Sequence, residues 1–312
     1  MNRTTKRVAN SVLNRRAFKK AISVEKNGIA ATDESYWSRQ ALLLAHSLEK
    51  GMSMPNIRAG FGENKASDLA DIILSNESLD SYARSEAKSV LYSYVCYRDS
   101  SCDPLSTDLR DRLMSASAQE LVSGSLPYDA GYFSRDGMDA MQLLSKRRSV
   151  RSFKSDKVSN EQMNLVGAFV ASSPSACNRQ PWRIRWTCDD TKIQRIDELV
   201  PGNRGFEGQI PNWAVLSCDR GMFGTGEAFQ WYVNGGIALA YFVEGLYLLG
   251  MDSCIFQLPV ADSCVPTLKE LLGIEEGDAV IAAIGFGISD EETCGLHPAA
   301  ARRDVGSIVR CV

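Results

Sequence analysis

Apolar residues recur at helical spacing through the first third of the chain. Leu42, Leu43, Leu44 and Leu48 follow Tyr36 on one face of a stretch that opens at Glu34. Residues 65–74 repeat the pattern with Leu69, Ile72, Ile73 and Leu74. Residues 81–97 do so with Ala83, Ala87, Val90, Leu91, Tyr94 and Val95. Residues 107–118 carry Leu109, Leu113 and Met114. Gly51 is placed to stop the first of these helices, and Pro55 to prevent its restart. No strand pattern precedes residue 140, so residues 1–137 read as an all-helical N-terminal extension, with 126–131 as a linker.

The texture then changes. A short helix over Met141, Leu143 and Leu144 runs into Arg147-Arg148-Ser149-Val150-Arg151. Ser159 and Gln162 form a capping box before a helix presenting Met163, Val166, Phe169 and Val170. Residues 182–188 alternate like a strand, and 213–218 and 279–286 are short apolar strands, the last of them central. Residues 227–249 form a long helix, apolar on nearly all faces, closed by Gly250. Residues 268–272 make a short helix, and the tail 305–312 is a candidate fourth strand. Strands and helices interleave, which gives an α+β core over residues 138–312 behind the helical extension.

Composition narrows the function classes. Hydrophobic residues at 44% and charged residues at 23% suit a soluble globular protein, and a net charge of -3 gives no case for nucleic acid. Seven basic residues and no acid fall in the first twenty positions, read as a solvated basic arm. The apolar run 228–249 holds Gln230, Asn234 and Glu244, too polar for a simple membrane span. No secretory signal pattern follows the basic start. The chain has nine cysteines without a CxxC pair, which predicts reduced thiols in the cytoplasm. With two histidines, His46 and His297, a His-rich metal site is excluded and no metal is expected.

Candidate chemistry concentrates in 147–182. Three arginines beside small hydroxyl residues suit phosphate oxygens. The loop Ser173-Pro174-Ser175-Ala176-Cys177-Asn178-Arg179-Gln180-Pro181-Trp182 is small and polar, able to bring backbone amides near a flat ligand. Cys177 reads as a small buried filler rather than a nucleophile. Glu244 reads as a polar contact across a dimer, or else a site acid.

The arginine cluster, this loop, the apolar helix, the Gly250-Met251-Asp252-Ser253 turn, the strand closing on Gly285-Phe286-Gly287 and the late Arg302-Arg303 stand in an order that resembles the FMN-dependent nitroreductase family over about residues 140–310. The resemblance implies a nitroreductase-like FMN-binding fold, a central mixed sheet flanked by helices, and a homodimer with FMN at the interface. It implies that Arg147, Arg148, Ser149 and Arg151 grip FMN from one subunit, and that Pro174, Ser175, Ala176 and Asn178 are lent by the other. Gln257 and Leu258 resemble the stretch passing near the flavin ring, and Arg302 resembles a late phosphate ligand. Asp304 stands where relatives often have proline, and Ala300 where some have a basic residue. The implied activity is hydride transfer from NADH or NADPH through FMN to a small-molecule acceptor. Arg151 is the candidate for setting the flavin potential. Alternatives are a flavin-dependent dehydrogenase or oxidase of a biosynthetic intermediate, and a non-catalytic flavin-binding interaction protein. Many relatives insert a helical excursion before the central helix, where only residues 219–226 stand here. The expectation is that the extension replaces this lid through the loops 46–54 and 58–62, with His46 a candidate proton donor.

Overall fold

The computed structural model describes residues 33–54, 57–128, 132, 137, 139–203, 205, 207–223, 227–258, 264–293 and 295–312. The basic N-terminal arm lies outside the described residues. The chain divides into two compact units, one spanning 129–294 and the other 22–128 with 295–312.

In the helical unit, α1 (Asp33–Met52), α2 (Glu63–Ser75), α3 (Ser81–Asp99) and α4 (Thr107–Ala116) pack their apolar faces together. Ala45, Leu48, Leu69, Leu91, Tyr94 and Leu113 are fully buried there. Asp80 caps α3 by accepting the Ala83 N–H at 3.0 Å. A two-stranded ribbon completes the unit: β1 (Ser125–Pro127) pairs antiparallel with β6 (Leu296–Pro298). The residues read as a linker thus begin with a strand, one too short and too far from its partner for periodicity to reveal. The tail is not a strand either: it holds the short α10 (Val305–Ile308), whose residues are exposed.

The glycines around Phe61 show why this unit folds as it does. Gly51 does not stop α1, which runs one residue further. A side chain there would strike the Phe61 ring at 1.9 Å, so the glycine admits the ring. Gly62 has φ +79 at the start of α2, and a Cβ would sit 2.8 Å from Leu48 Cδ2 and 3.1 Å from Tyr94 Cε2. Gly62→Ala therefore meets both backbone strain and overpacking, and a loss of about 2 kcal/mol is expected in urea denaturation. A variant as stable as the wild type would reject this account.

The second unit is built on a four-stranded antiparallel sheet in the order β2-β3-β5-β4. These are β2 (Trp182–Thr187), β3 (Asn212–Asp219), β4 (Asp252–Phe256) and β5 (Asp278–Gly287). β5 is interior, between β3 and β4, as its continuous apolar run predicts. The supposed turn at 250–253 is a turn only at Gly250, with φ +82; β4 begins at Asp252. The sheet gains a parallel bridge from Ser149 to Ser253 and an antiparallel one from Phe153 to Ser289. Across one face lies α8 (Gln230–Leu248), whose Phe242 and Leu246 pack with Ala214, Leu216, Ile284 and Phe286. α6 (Asn160–Ala171) adds Met163 and Val166 to the same core. Three further helices, α5 (Ala140–Lys146), α7 (Asp190–Leu199) and α9 (Cys264–Leu272), flank it. Sequence periodicity missed α7, a polar helix that buries only Ile193 and Ile196. No described helix is long and apolar enough to cross a membrane.

Candidate functional site

The arginine cluster leaves α5 as an extended segment bound to the sheet edge. Asp139 and Gln142 cap the start of α5 reciprocally, and Arg147 turns the chain out of its end. Arg148 closes that end: its Nη1 donates to the carbonyls of Ser145, Lys146 and Arg147 at 2.7, 3.0 and 3.0 Å. A cation on orphan C-terminal carbonyls is a helix cap, so that nitrogen is committed to structure. The Val150 N–H then donates to Ser253 O at 3.1 Å. Alternate residues of an extended segment share a side. Val150 and Ser152 are buried, while Ser149 and Arg151 are half-buried on the other side.

Arg147 Nε lies 3.4 Å from Glu244 Oε1 on α8. Glu244 thus pairs within its own chain, a third option beside the two read from sequence. Burial pushes its carboxyl up, and Arg147 pulls it back. Arg151 reaches Ser149 O through Nη1 at 3.3 Å, but its Nε is buried without a partner among the described residues. A buried, unmet guanidinium donor is costly and marks a place where an acceptor belongs.

The second half of the site follows α6. Ser175 leads into a 3-10 turn at Ala176–Asn178, and Cys177, Asn178 and Gln180 all adopt left-handed backbone, with φ 51, 54 and 47. Three such residues within four positions cost about 1 kcal/mol each, so the surroundings must impose them. Three contacts do. Asn234 Oδ1, in the first turns of α8, accepts the Ala176 N–H at 2.8 Å. Ser175 Oγ accepts the Gln180 N–H at 3.0 Å. The Arg179 fork spans Glu227 at 2.7 and 3.0 Å and also reaches Met222 O at 3.0 Å. Pro174 and Asn178 are left exposed, Ser175 and Ala176 half-buried. Cys177 is exposed, against the filler reading, because its left-handed backbone turns it out of the loop.

Both halves belong to the sheet unit, as do Gln257 and Leu258. These follow β4, Gln257 exposed and Leu258 buried. His46 and Arg302 belong to the helical unit. Arg302 donates to Ala300 O, two residues back, and lends positive charge to Glu49 and Glu86. Sequence reasoning overlooked Asn234 and Glu227 as anchors. Asn234 was legible as a polar residue in an apolar run; Glu227 carried no signal. No group of three His, Cys, Asp or Glu among the described residues suits a metal. The donors present, guanidinium groups and a loop held in an open shape, fit a cofactor bearing a phosphate.

Residues 144–203, which hold both halves, match the profile of the Nitroreductase family. A protein of Archaeoglobus fulgidus, with the provisional name NADH dehydrogenase/NAD(P)H nitroreductase, is 22% identical over 156 residues, covering 49% of this chain and 87% of that one. An FMN-dependent nitroreductase of Clostridium difficile R20291 is 23% identical, with a TM-score of 0.42 over 48% of this chain and 87% of its own. A nitroreductase family protein of Streptococcus pneumoniae TIGR4 is 18% identical, with a TM-score of 0.45 over 56% of this chain and 100% of its own. Over residues 144–203 the chain resembles the nitroreductase family.

Proposed function

We propose that the chain is an FMN-dependent oxidoreductase, in which bound FMN takes hydride from NADH or NADPH and supplies it to a small-molecule acceptor. The observation that carries this reading is the buried Nε of Arg151, without a partner among the described residues, on the extended segment inside the family-matched residues. Arg147 and Ser149 complete the grip from the same segment. Arg148 contributes only what its cap leaves over. Arg151 adds a fixed cation, which favours a reduced and more anionic cofactor. Gln257 and Leu258 would lie beside the bound ring.

A second copy of the chain is part of the reading. Pro174, Ser175, Ala176 and Asn178 would complete the partner's site. Exposed Met141 and Leu144 on α5 and Val233 on α8 supply apolar surface for that contact. Sedimentation equilibrium is expected to return a dimer mass; a monomer at micromolar concentration would remove the shared site.

The direct test is the visible spectrum of the purified protein, followed by anaerobic NADH or NADPH. A yellow protein that bleaches supports the reductase. A colourless protein that cannot be reconstituted with FMN overturns it in favour of an interaction protein. A yellow protein indifferent to both nicotinamides points to the dehydrogenase or oxidase. Arg151→Ala is expected to retain FMN and lower its reduction potential by about 30 mV, as one lost charge contact of ~1.4 kcal/mol implies for a two-electron couple. Spectroelectrochemistry reads this, and an unchanged potential rejects the role.

A further inference from the structure

A buried polar chain runs behind the arginine segment. The Asp252 carboxylate, at the start of β4, is 1% exposed. Its Oδ1 accepts the Tyr132 hydroxyl at 2.9 Å, and its Oδ2 accepts the Ser289 hydroxyl. Tyr132 is 2% exposed, with its ring 5.5 Å from that of Tyr247. The Tyr132 oxygen, while donating its hydroxyl hydrogen bond to Asp252, accepts the Arg148 N–H at 3.3 Å. Burial, and then the negative charge of Asp252, push the Tyr132 hydroxyl further from ionisation, so it remains a donor.

Asp252 also sits beside two further attachments of the segment. Its neighbour Ser253 takes the Val150 N–H and bridges Ser149. Ser289 stands opposite Phe153, and Ile288 O accepts the Lys154 N–H at 2.8 Å. The segment is therefore fixed at Arg148, at Val150, at Ser152 and at Phe153–Lys154. The first of these fixings holds a backbone N–H through the Tyr132 side chain, and Arg148 directly precedes Ser149.

We propose that Tyr132 and Asp252 are positioning residues for the cofactor segment. The carboxylate orients the tyrosine hydroxyl, the hydroxyl holds the Arg148 N–H, and this sets the backbone from which Ser149 and Arg151 project. The inference rests on the FMN reading of the site. Carboxylate chemistry is specific here. Two hydroxyl donors need two acceptor oxygens, and an asparagine amide nitrogen accepts neither. Hydrogen bonds in series also strengthen one another, so the aspartate's effect is transmitted to the backbone.

Tyr132→Phe removes the hydroxyl and keeps the ring. Ser289→Ala removes the other donor to Asp252 and leaves Arg148 alone, so it reports the purely structural cost. FMN affinity of the full-length protein is measured by quenching of flavin fluorescence. Hydrogen exchange of residues 147–151 is measured on the FMN-free protein. Tyr132→Phe is expected to weaken FMN about tenfold, the scale of one lost hydrogen bond, and to speed exchange at Arg148. Asp252→Ala, which leaves the tyrosine hydroxyl without its acceptor, follows Tyr132→Phe. Ser289→Ala stays within about twofold of the wild type on both counts. Equal weakening in Tyr132→Phe and Ser289→Ala overturns the positioning role, as does wild-type affinity in Tyr132→Phe. A wild-type protein that takes up no FMN overturns the function reading itself, and the inference with it.

Discussion

Arg98→Met is expected to lower the unfolding free energy by about 3 kcal/mol, the largest loss from any single substitution argued for this chain. Arg98 is 2% exposed yet fully engaged. Its Nε donates to Asp103 O at 2.7 Å, and its Nη1 to Phe61 O and the Tyr94 hydroxyl at 3.1 and 2.9 Å. Its Nη2 reaches Glu63 at 2.8 Å and Asp103 at 3.1 Å. Asp103 in turn accepts the Gly60 N–H at 2.7 Å. One guanidinium therefore closes the 58–62 loop onto α3 and the start of α2. Methionine keeps the stem's packing but leaves the Asp103 carbonyl without its donor and the Phe61 carbonyl with the Tyr94 hydroxyl alone. The carboxylates of Glu63 and Asp103 lose less, since both are well exposed and regain water. Chemical denaturation at neutral pH is the measurement. A loss below about 1 kcal/mol would show that the loop does not depend on this side chain.

Glu49→Gln is expected to make the protein more stable than the wild type above neutral pH, and to remove part of its pH dependence. Glu49 is 2% exposed. Its Oε1 accepts the N–H of Gly124 at 2.9 Å and of Ala300 at 3.4 Å. Burial, and then the like charge of Glu86, raise its pKa from 4.5 to about 7. The two N–H donors and Arg302 act the other way without winning. Glu86 is raised by burial too, opposed by Arg302, and its Oε2 has no partner among the described residues. A carboxyl whose folded pKa lies above its unfolded value binds a proton more tightly when folded. Its stabilisation is complete below pH 4.5 and is lost as pH rises through 7. A shift of this size amounts to on the order of 3 kcal/mol. Glutamine copies the protonated form, keeping the acceptor for Gly124 and Ala300. The stability gap between variant and wild type should widen from pH 4.5 to 7 and then level off. A gap independent of pH would mean that Glu49 titrates normally.

The helices of the N-terminal region were legible because each buries one face, and burial of one face imposes the 3.6-residue period that the sequence displays. The interior strand β5 was legible for the complementary reason: covered on both sides, it is apolar throughout. β4 was not, because Asp252 and Ser253 are polar and buried, and only their partners Tyr132, Ser289 and Ser149 explain them. α7 escaped because two buried isoleucines do not make a face.

The two halves of the candidate site stand out in the chain because phosphate recognition needs particular residue types, and arginines and a small polar loop are visible as letters. The division of labour inside the cluster is not. Arg147, Arg148 and Arg151 read alike in sequence. One pairs with Glu244, one caps its own helix, and one keeps a buried donor unmet among the described residues. Likewise nothing in the order of residues joins the last eighteen to the helical unit, where Arg302 faces two buried carboxylates. The sequence by itself determined the elements whose burial is periodic, and the residue types that the cofactor reading requires. Only the tertiary structure decided which arginine is spent on structure and which remains open. Hydrogen bonds and ion pairs between residues about a hundred positions apart leave no period in the chain.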